Sequence, residues 1–144
     1  MEIRVYKTYH LVKSEDLNHH GTLYAGRNAE WFVEAGFIAA AALSRPENIV
    51  CLSIHGLIFR RPVHLGEVIA FESRIVHTGR SRIMAFVEMK SGEESIVRGF
   101  ITFVNVDRQG RPLSHGVTME AASPEDQDLQ EQARRLSAET RLAE

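Results

Sequence analysis

The alternation of apolar and polar residues divides this chain into one long helix, five strands and a tail. Apolar residues recur at helical spacing through residues 27–43, where a run of alanines favours a helix until Ser44 and Pro46 end it. Apolar and β-branched residues dominate five other segments, namely residues 3–13, 48–61, 67–78, 80–91 and 94–107. This order predicts an α+β fold in which the helix packs on a mostly antiparallel sheet.

The predicted helix carries a wide apolar stripe, formed by Ala29, Phe32, Val33, Gly36, Phe37, Ala40 and Leu43. Its second half is apolar around most of its circumference, which is typical of a helix buried on several sides. Small residues in that half would let a sheet approach closely. Because one sheet covers only one side of a helix, the pattern also favours packing between subunits.

The composition changes at residue 121, which divides the chain into a folded domain of residues 1–120 and a tail of residues 121–144. Ser123 and Pro124 followed by acidic residues form a good helix start. The apolar stripe behind them is narrow. We therefore predict a surface helix that packs on a neighbour or frays.

The overall composition is that of an ordinary globular protein. The length of 144 residues suffices for a proper core, and the net charge of −2 gives no bias toward nucleic acid or membrane. The longest apolar run, residues 37–43, is far shorter than a membrane span, and the N-terminus lacks a signal-peptide pattern, so we expect a cytoplasmic protein. A single cysteine, Cys51, excludes an internal disulfide.

Candidate chemistry begins in the loop Asn18-His19-His20-Gly21, which leads into the long helix. The first N–H groups of a helix are free, and its dipole favours negative charge. A polar side chain and these N–H groups could polarise a carbonyl oxygen as an oxyanion hole does. The alternative is an ordinary loop in which Asn18 makes its own turn contacts.

Two carboxylates, Glu30 and Glu34, lie one turn apart on one face of the predicted helix. Glu34 stands where the helix becomes apolar, and a carboxylate held there could act as a general base on water. The alternative is that both side chains simply solvate the outer face.

Other polar residues indicate less. Seven histidines lack the spacing of metal ligands, so we expect no metal site. Arg60 and the turn at residues 78–82, with Arg80 and Arg82, could bind phosphate. The alternative is that these basic side chains are simply solvated at the ends of strands. Aromatic residues form no stacking platform for nucleic acid, and no G-x-S-x-G pattern marks a serine nucleophile.

Taken in order, the motifs resemble those of the hotdog-fold acyl-CoA thioesterases, in particular the acyl-CoA hydrolase branch. The first is Asp-x-Asn-His-His-Gly-Thr-Leu-Tyr-Ala-Gly at residues 16–26, followed by Glu34-Ala35 in the helix. The others are Ile54-x-x-x-x-Phe59-x-x-Pro62, Gly66-Glu67, His77-Thr78-Gly79-Arg80-Ser81 and Phe103-Val104-Asn105-Val106-Asp107. The match covers roughly residues 4–113.

The resemblance implies a long central helix wrapped by a five-stranded antiparallel sheet. It implies a homodimer with active sites shared between subunits, often assembled as a trimer of dimers into a hexamer. It also implies cleavage of acyl-CoA to a free acid and coenzyme A without a metal or organic cofactor.

Carried over by position, Asn18 matches the loop asparagine near the thioester carbonyl. Gly26 matches the second of two glycines whose N–H points at the thioester oxygen, while Ala25 replaces the first. We expect His19, His20 and Gly21 to line the substrate site beside them.

The turn Thr78-Gly79-Arg80-Ser81 matches a loop near the pantetheine and phosphates of coenzyme A. Arg60 and Arg82 are added to this set from their charge alone.

The chain departs from the family where the catalytic acid usually stands, because Val33 occupies that position. Glu34 follows it, but one step along a helix rotates a side chain by about 100°. Either the longer Glu34 side chain reaches round, or Asn18 with His19 or His20 supplies the base. His55 also stands where relatives often carry Asp.

Three functions are compatible with these residues. We predict an acyl-CoA thioesterase that uses Asn18, Gly26 and Glu34. A hydratase or dehydratase of the same fold would pair His20 with Glu34, fourteen residues later. A non-catalytic acyl-CoA binder would explain Val33. The preferred acyl chain depends on pocket shape and does not follow from the sequence.

Overall fold

A computed structural model describes residues 1–143, and side chains are described for residues 1–140. The elements in chain order are β1 (Tyr6–Leu11), α1 (Ala25–Ala41), β2 (Ile49–His55), β3 (Val68–Thr78), β4 (Arg82–Ser91), β5 (Glu94–Asn105) and α2 (Pro124–Ala143). The last residue of the predicted tail, Glu144, lies outside the described residues. None of the described helices is both long and apolar enough to cross a membrane.

The five strands form one antiparallel sheet in the order β1-β3-β4-β5-β2. The long helix α1 packs across one face, with its main contacts on β3 and β4. This is the α+β arrangement predicted from the sequence and the hotdog architecture that the resemblance implied. Strands β1 and β2 are the two edges of the sheet.

Helix α1 lies unusually close to the sheet at Gly36. A Cβ atom there would come within 2.8 Å of the Ile101 side chain and within 3.3 Å of Val87. A larger residue here would require the end of the Ile101 side chain to shift, which supports the prediction that small residues let the sheet approach.

The buried face of α1 is rotated relative to the predicted stripe. It consists of Asn28, Trp31, Phe32, Ala35, Gly36, Ala39 and Ala40, whereas Ala29, Val33 and Phe37 are only half-buried. The physical reason is the stacking of Trp31 on His10 of β1, with ring centres 4.2 Å apart, which turns the helix toward that edge. The predicted stripe was therefore wrong by about one residue.

A β-bulge interrupts β3 near its end. The register with β4 shifts between Ile75 and His77, so Val76 is the extra residue. Val76 packs in a second apolar cluster on the outer face of the sheet. Strict alternation along β3 would put His77 on the same face as Ile69 and Ile75, and the bulge breaks that alternation.

Helix α2 covers this outer cluster. Its Leu129 and Ala133 side chains are completely buried against the sheet residues Val76, Met84, Phe86 and Phe100. The helical tail was predicted correctly, but the expectation that it would pack on a neighbour or fray was wrong, because the outer face of its own sheet is apolar. Two strands also end earlier than predicted, β2 at His55 and β5 at Asn105.

Candidate active site

A groove of about 380 Å³ lies at the N-terminal end of α1. One wall is formed by the loop and the first turns of the helix, and the other by the segment between β2 and β3. Its lining residues are Asn18, Thr22, Leu23, Ala25, Asn28, Phe59, Arg60, Arg61, Pro62 and Val63. Seven residues that the sequence motifs or their charge singled out thus lie together here, namely Asn18, Thr22, Leu23, Ala25, Phe59, Arg60 and Pro62.

Asn18 holds the loop in shape through its own side chain. Its Oδ1 accepts hydrogen bonds from the N–H groups of His20, at 2.9 Å, and of Thr22, at 3.2 Å. Its Nδ2 donates to the Thr22 hydroxyl at 3.2 Å. Because Nδ2 carries two hydrogens, one remains for a ligand in the groove. The turn contacts and the groove contact of Asn18 are therefore compatible.

Asp16 connects this loop to the start of α1. Its buried carboxylate accepts a hydrogen bond from the Lys13 N–H at 2.9 Å and lies 3.6 Å from the Arg27 side chain. Its carbonyl oxygen accepts a bond from the Tyr24 N–H, which immediately precedes the helix. Sequence reasoning treated Asp16 only as part of a motif.

The first N–H groups of α1, those of Ala25 and Gly26, have no hydrogen-bond partner among the described residues. The ring of the exposed Tyr24 lies across Gly26, and a Cβ at that position would come within 2.4 Å of it. Glycine at position 26 thus lets the Tyr24 ring lie against the first turn of the helix, beside the two free N–H donors. This geometry suits the binding of a carbonyl oxygen.

Arg61 fixes the opposite wall of the groove. Its guanidinium donates to the Glu67 carboxylate at 2.8 Å and to the Glu94 carboxylate at 3.0 Å. It also donates to the Pro62 carbonyl at 2.7 Å. These contacts lower the pKa of Glu67 to about 2, with the hydrogen bond from Arg61 as the largest cause. The neighbouring Arg60 side chain is exposed and has no partner within residues 1–140.

The two histidines after Asn18 lie on the outside of the loop. His19 and His20 are exposed, and their rings pack together with centres 3.9 Å apart. Gly21 has a positive φ of 79°, which glycine adopts without strain, and closes the turn. These three residues belong to the Asn18 loop, but within one subunit they do not line the groove.

Glu34 is exposed on α1. Its negative charge opposes the effect of burial, which lowers the pKa of His10 in β1. Six residues separate Glu34 from Asn28, which places them about 120° apart around the helix. Within one subunit, Glu34 therefore lies away from the groove, and Val33 is half-buried.

The predicted coenzyme-binding turn lies at the other end of the sheet. The Asn18 loop is hydrogen-bonded to the residues just before β3, through Leu23 N–H to Val63 O and Val12 N–H to Glu67 O. The turn at residues 79–81 follows the end of β3, a strand of 11 residues. At 3.3 Å per residue, β3 therefore separates the residues beside the Asn18 loop from the turn by roughly 33 Å.

This turn borders a second groove, of about 500 Å³, with Arg80, Ser81 and Arg82 on one side and Val50 and Leu52 of β2 on the other. Arg82 is 7% exposed, and its guanidinium contacts the Ser137 carbonyl of α2 at 3.4 Å. Arg80, by contrast, is exposed.

The second groove is braced by its surroundings. The Thr78 hydroxyl donates to the Val117 carbonyl at 2.7 Å, and the Gly79 N–H donates to the Arg82 carbonyl. Thr78 and Gly79 thus hold the turn in place rather than line the groove.

One residue of the first groove was missed by sequence reasoning. Asn28 is 1% exposed, and its Oδ1 is buried without a hydrogen-bond partner among the described residues. The available signal was a carboxamide three and seven residues before Trp31 and Ala35, on the same face of the helix. The predicted apolar stripe was rotated by about one residue, so Asn28 was not expected on the buried face.

Elsewhere, His55 lies outside this groove, with its Nε2 3.0 Å from the Thr102 hydroxyl, and burial lowers its pKa. Among the described residues, no group of three or more His, Cys, Asp or Glu side chains is placed to hold a metal ion.

Comparison with known proteins places these features in context. Residues 20–97 match the model of the thioesterase superfamily. The chain is 28% identical over 104 residues to a Bacillus subtilis protein named as the uncharacterized acyl-CoA thioester hydrolase YkhA. The matched region covers 68% of this chain and only 60% of the length of that relative.

Solved structures with the same fold include an acyl-CoA hydrolase from Bacillus cereus, with a TM-score of 0.86 at 25% identity, covering 96% of this chain and 87% of the other. An acyl-CoA hydrolase from Staphylococcus aureus, solved with butyryl coenzyme A, gives 0.77 at 18% identity over 96% and 90%. A hexameric thioesterase from Yersinia pestis gives 0.68 at 24% identity over 74% and 91%. The last two likenesses concern the fold alone.

Proposed function

Because the chain belongs to the thioesterase superfamily, we propose that it hydrolyses an acyl-CoA thioester to a free acid and coenzyme A. The observation that carries this proposal is the groove at the start of α1, which Asn18 and Ala25 line and where the helix begins with the free N–H groups of Ala25 and Gly26. The naming of the Bacillus relatives as acyl-CoA hydrolases supports the choice of substrate.

In the proposed reaction, the Gly26 N–H and the remaining Nδ2 hydrogen of Asn18 bind the thioester oxygen. They stabilise the negative charge that develops there when water attacks the carbonyl carbon. The new C–O bond forms, the C–S bond breaks, and coenzyme A leaves as a thiol after taking up a proton. The chain needs no metal or organic cofactor for these steps.

We propose Glu34 as the general base, since it is the carboxylate nearest the position of the family acid. Because Glu34 lies about 120° around α1 from the groove-lining Asn28, it would act at a site shared between subunits. His19, His20 and Gly21, which border the Asn18 loop, would contact the substrate at the same interface.

Two observations support a homodimer with shared sites. The groove at Asn18 and the basic turn at residues 78–82 lie at opposite ends of one sheet, too far apart for one subunit to use both around a single thioester. Strand β2 is an unpaired edge with Val50, Leu52 and Ile54 exposed. Antiparallel pairing of two β2 strands about a twofold axis would bring the turn of one subunit toward the groove of the other.

In this dimer, Arg80 and Ser81 would bind the phosphates of coenzyme A, with Thr78, Gly79 and Arg82 holding the turn and Arg60 at the rim of the acyl groove. The hexameric state of the Yersinia pestis thioesterase supports a trimer of such dimers.

The test is thiol release from a panel of acyl-CoA substrates. Removing a general base slows a reaction by about 10²–10⁴-fold, so Glu34→Gln should lose at least that lower factor. Asn18→Ala should lose activity as well. The matched control is Glu30→Gln, the same substitution one helical turn earlier on the exposed face, which should retain activity.

The outcomes separate the parts of the proposal. If Asn18→Ala loses thiol-release activity while Glu34→Gln keeps it in full, the protein is a thioesterase whose general base is not Glu34. Tight binding of coenzyme A with no thiol release from any acyl-CoA would instead indicate a non-catalytic binder.

A further inference from the structure

Asn28 is a buried polar residue whose polarity the packing does not require. Its carboxamide is 1% exposed, and Oδ1 accepts no hydrogen bond from any described residue. Its neighbours on the buried face of α1 are apolar, namely Trp31, Phe32 and Ala35. An unpaired buried oxygen lowers stability, and an apolar side chain of similar size would avoid that loss.

The position of Asn28 indicates that a hydrogen-bond donor for its Oδ1 would come from the groove. Asn28 lines the same groove as Asn18 and lies one helical turn after Ala25. The terminal torsion of an asparagine is broad and roughly twofold, so a rotation exchanges Oδ1 and Nδ2 and turns either one toward the groove. A molecule in the groove can therefore meet an acceptor at this place.

We infer that Asn28 positions the water that attacks the thioester, an inference that rests on the proposed function. One O–H of the water donates to Oδ1 of Asn28. This bond directs a lone pair of the water oxygen at the carbonyl carbon, whose oxygen is bound by Asn18 and Gly26. A neutral carboxamide does not accept the proton, so that proton passes to the general base. The C–O bond forms, and the sulfur leaves with the electrons of the C–S bond.

Two substitutions separate this role from a structural one. Asn28→Leu removes the acceptor and keeps the branching and the number of heavy atoms of the side chain. Asn105→Leu is the matched control, because Asn105 is also buried but is bonded at both ends of its carboxamide. Its Oδ1 accepts from the Ser44 hydroxyl at 2.7 Å, and its Nδ2 donates to the Leu113 carbonyl at 2.8 Å.

We expect Asn28→Leu to keep or raise Tm, while Asn105→Leu lowers it. In the thiol-release assay, Asn28→Leu should lose about 100-fold in kcat, as misplacement of a reactant does, with KM within about threefold of the parent. Asn28→Asp, which keeps an acceptor, should recover most of kcat at alkaline pH and lose it as the new carboxylate is protonated.

Several results would overturn the role of Asn28. A fall in Tm like that of Asn105→Leu would make Asn28 structural. Unchanged kcat, a change confined to KM, or no recovery in Asn28→Asp would each exclude the positioning of water. A parent protein that releases no thiol would overturn the proposed function together with this role, whereas an active parent with an active Asn28→Leu variant overturns this role alone.

Discussion

Arg61 is the residue that gives the groove a fixed wall, because it binds two carboxylates that come from different strands. Glu67 stands just before β3, and Glu94 begins β5. Glu67 also accepts hydrogen bonds from the His64 N–H at 2.6 Å and the Ser91 hydroxyl at 2.8 Å. The segment beside the groove is thus anchored by charged hydrogen bonds, which leaves Arg60 available to a ligand.

Glu67→Gln should weaken this anchor. Hydrogen bonds to charged groups are worth about 1.5–3 kcal/mol, and partial exposure reduces this to about 1–2 kcal/mol of unfolding free energy at pH 7. The pKa of Glu67 is lowered from 4.5 to about 2, so its contribution is complete above pH 4.5 and is lost as the pH falls toward 2. Denaturation at a series of pH values should therefore show the difference between parent and variant narrowing across that window.

The control for this prediction is Glu47→Gln. Glu47 pairs with Arg45 at 3.1 Å, but both side chains are mostly exposed, at 62% and 80%. Such surface pairs contribute about 0–1 kcal/mol, so the variant should resemble the parent. Equal losses in both variants would show that Glu67 anchors nothing.

At the scale of elements, the contact of α1 with the sheet depends on Gly36. Gly36→Ala should destabilise the protein by about 1–3 kcal/mol, because the added methyl group overlaps the side chains of Ile101 and Val87. Thermal unfolding would measure the loss. In Gly26→Ala, by contrast, the methyl group meets only the ring of exposed Tyr24, so the unfolding free energy should change little. A stable Gly36→Ala variant would mean that α1 can move away from the sheet.

Helix α2 is expected to be an integral part of the folded unit. Leu129→Ala removes a completely buried side chain and should cost about 2–5 kcal/mol of unfolding free energy. The same substitution at Leu65, which is 59% exposed, should cost far less. Equal effects in chemical denaturation would show that α2 is detached in solution.

Periodicity predicted the five strands and α1 because each has a run of apolar residues at its own spacing, whereas α2 was predicted from its helix-start residues Ser123 and Pro124. Periodicity failed where the packing depends on a residue that is distant in the sequence. The partner of Trp31 is His10, on another strand, and this contact rotates α1 relative to its own apolar pattern. The burial of Leu129 likewise depends on an outer sheet face that no local pattern reveals. The motif located the Asn18 loop, whereas Asn28 emerged only from the packing.

At the scale of the whole molecule, the two candidate halves of the site lie at opposite ends of the sheet, and the apolar edge β2 runs between them. An edge strand with exposed apolar side chains and a free outer edge is a template for pairing with another chain. Val50 and Leu52 are each 47% exposed and also border the groove that contains Arg80. Assembly through β2 would therefore bury this edge and complete the site in one step.

Leu52→Glu should separate the subunits, since burying an unpaired carboxylate in a strand-to-strand contact is unfavourable. Light scattering after gel filtration should show a monomer, and thiol release from acyl-CoA should fall with it if the sites are shared. Val68→Glu is the matched control, because Val68 is equally apolar and 56% exposed but begins β3 beside the other edge of the sheet. A Leu52→Glu monomer with full activity would locate the whole site within one subunit, and an unchanged oligomer would exclude β2 as the contact.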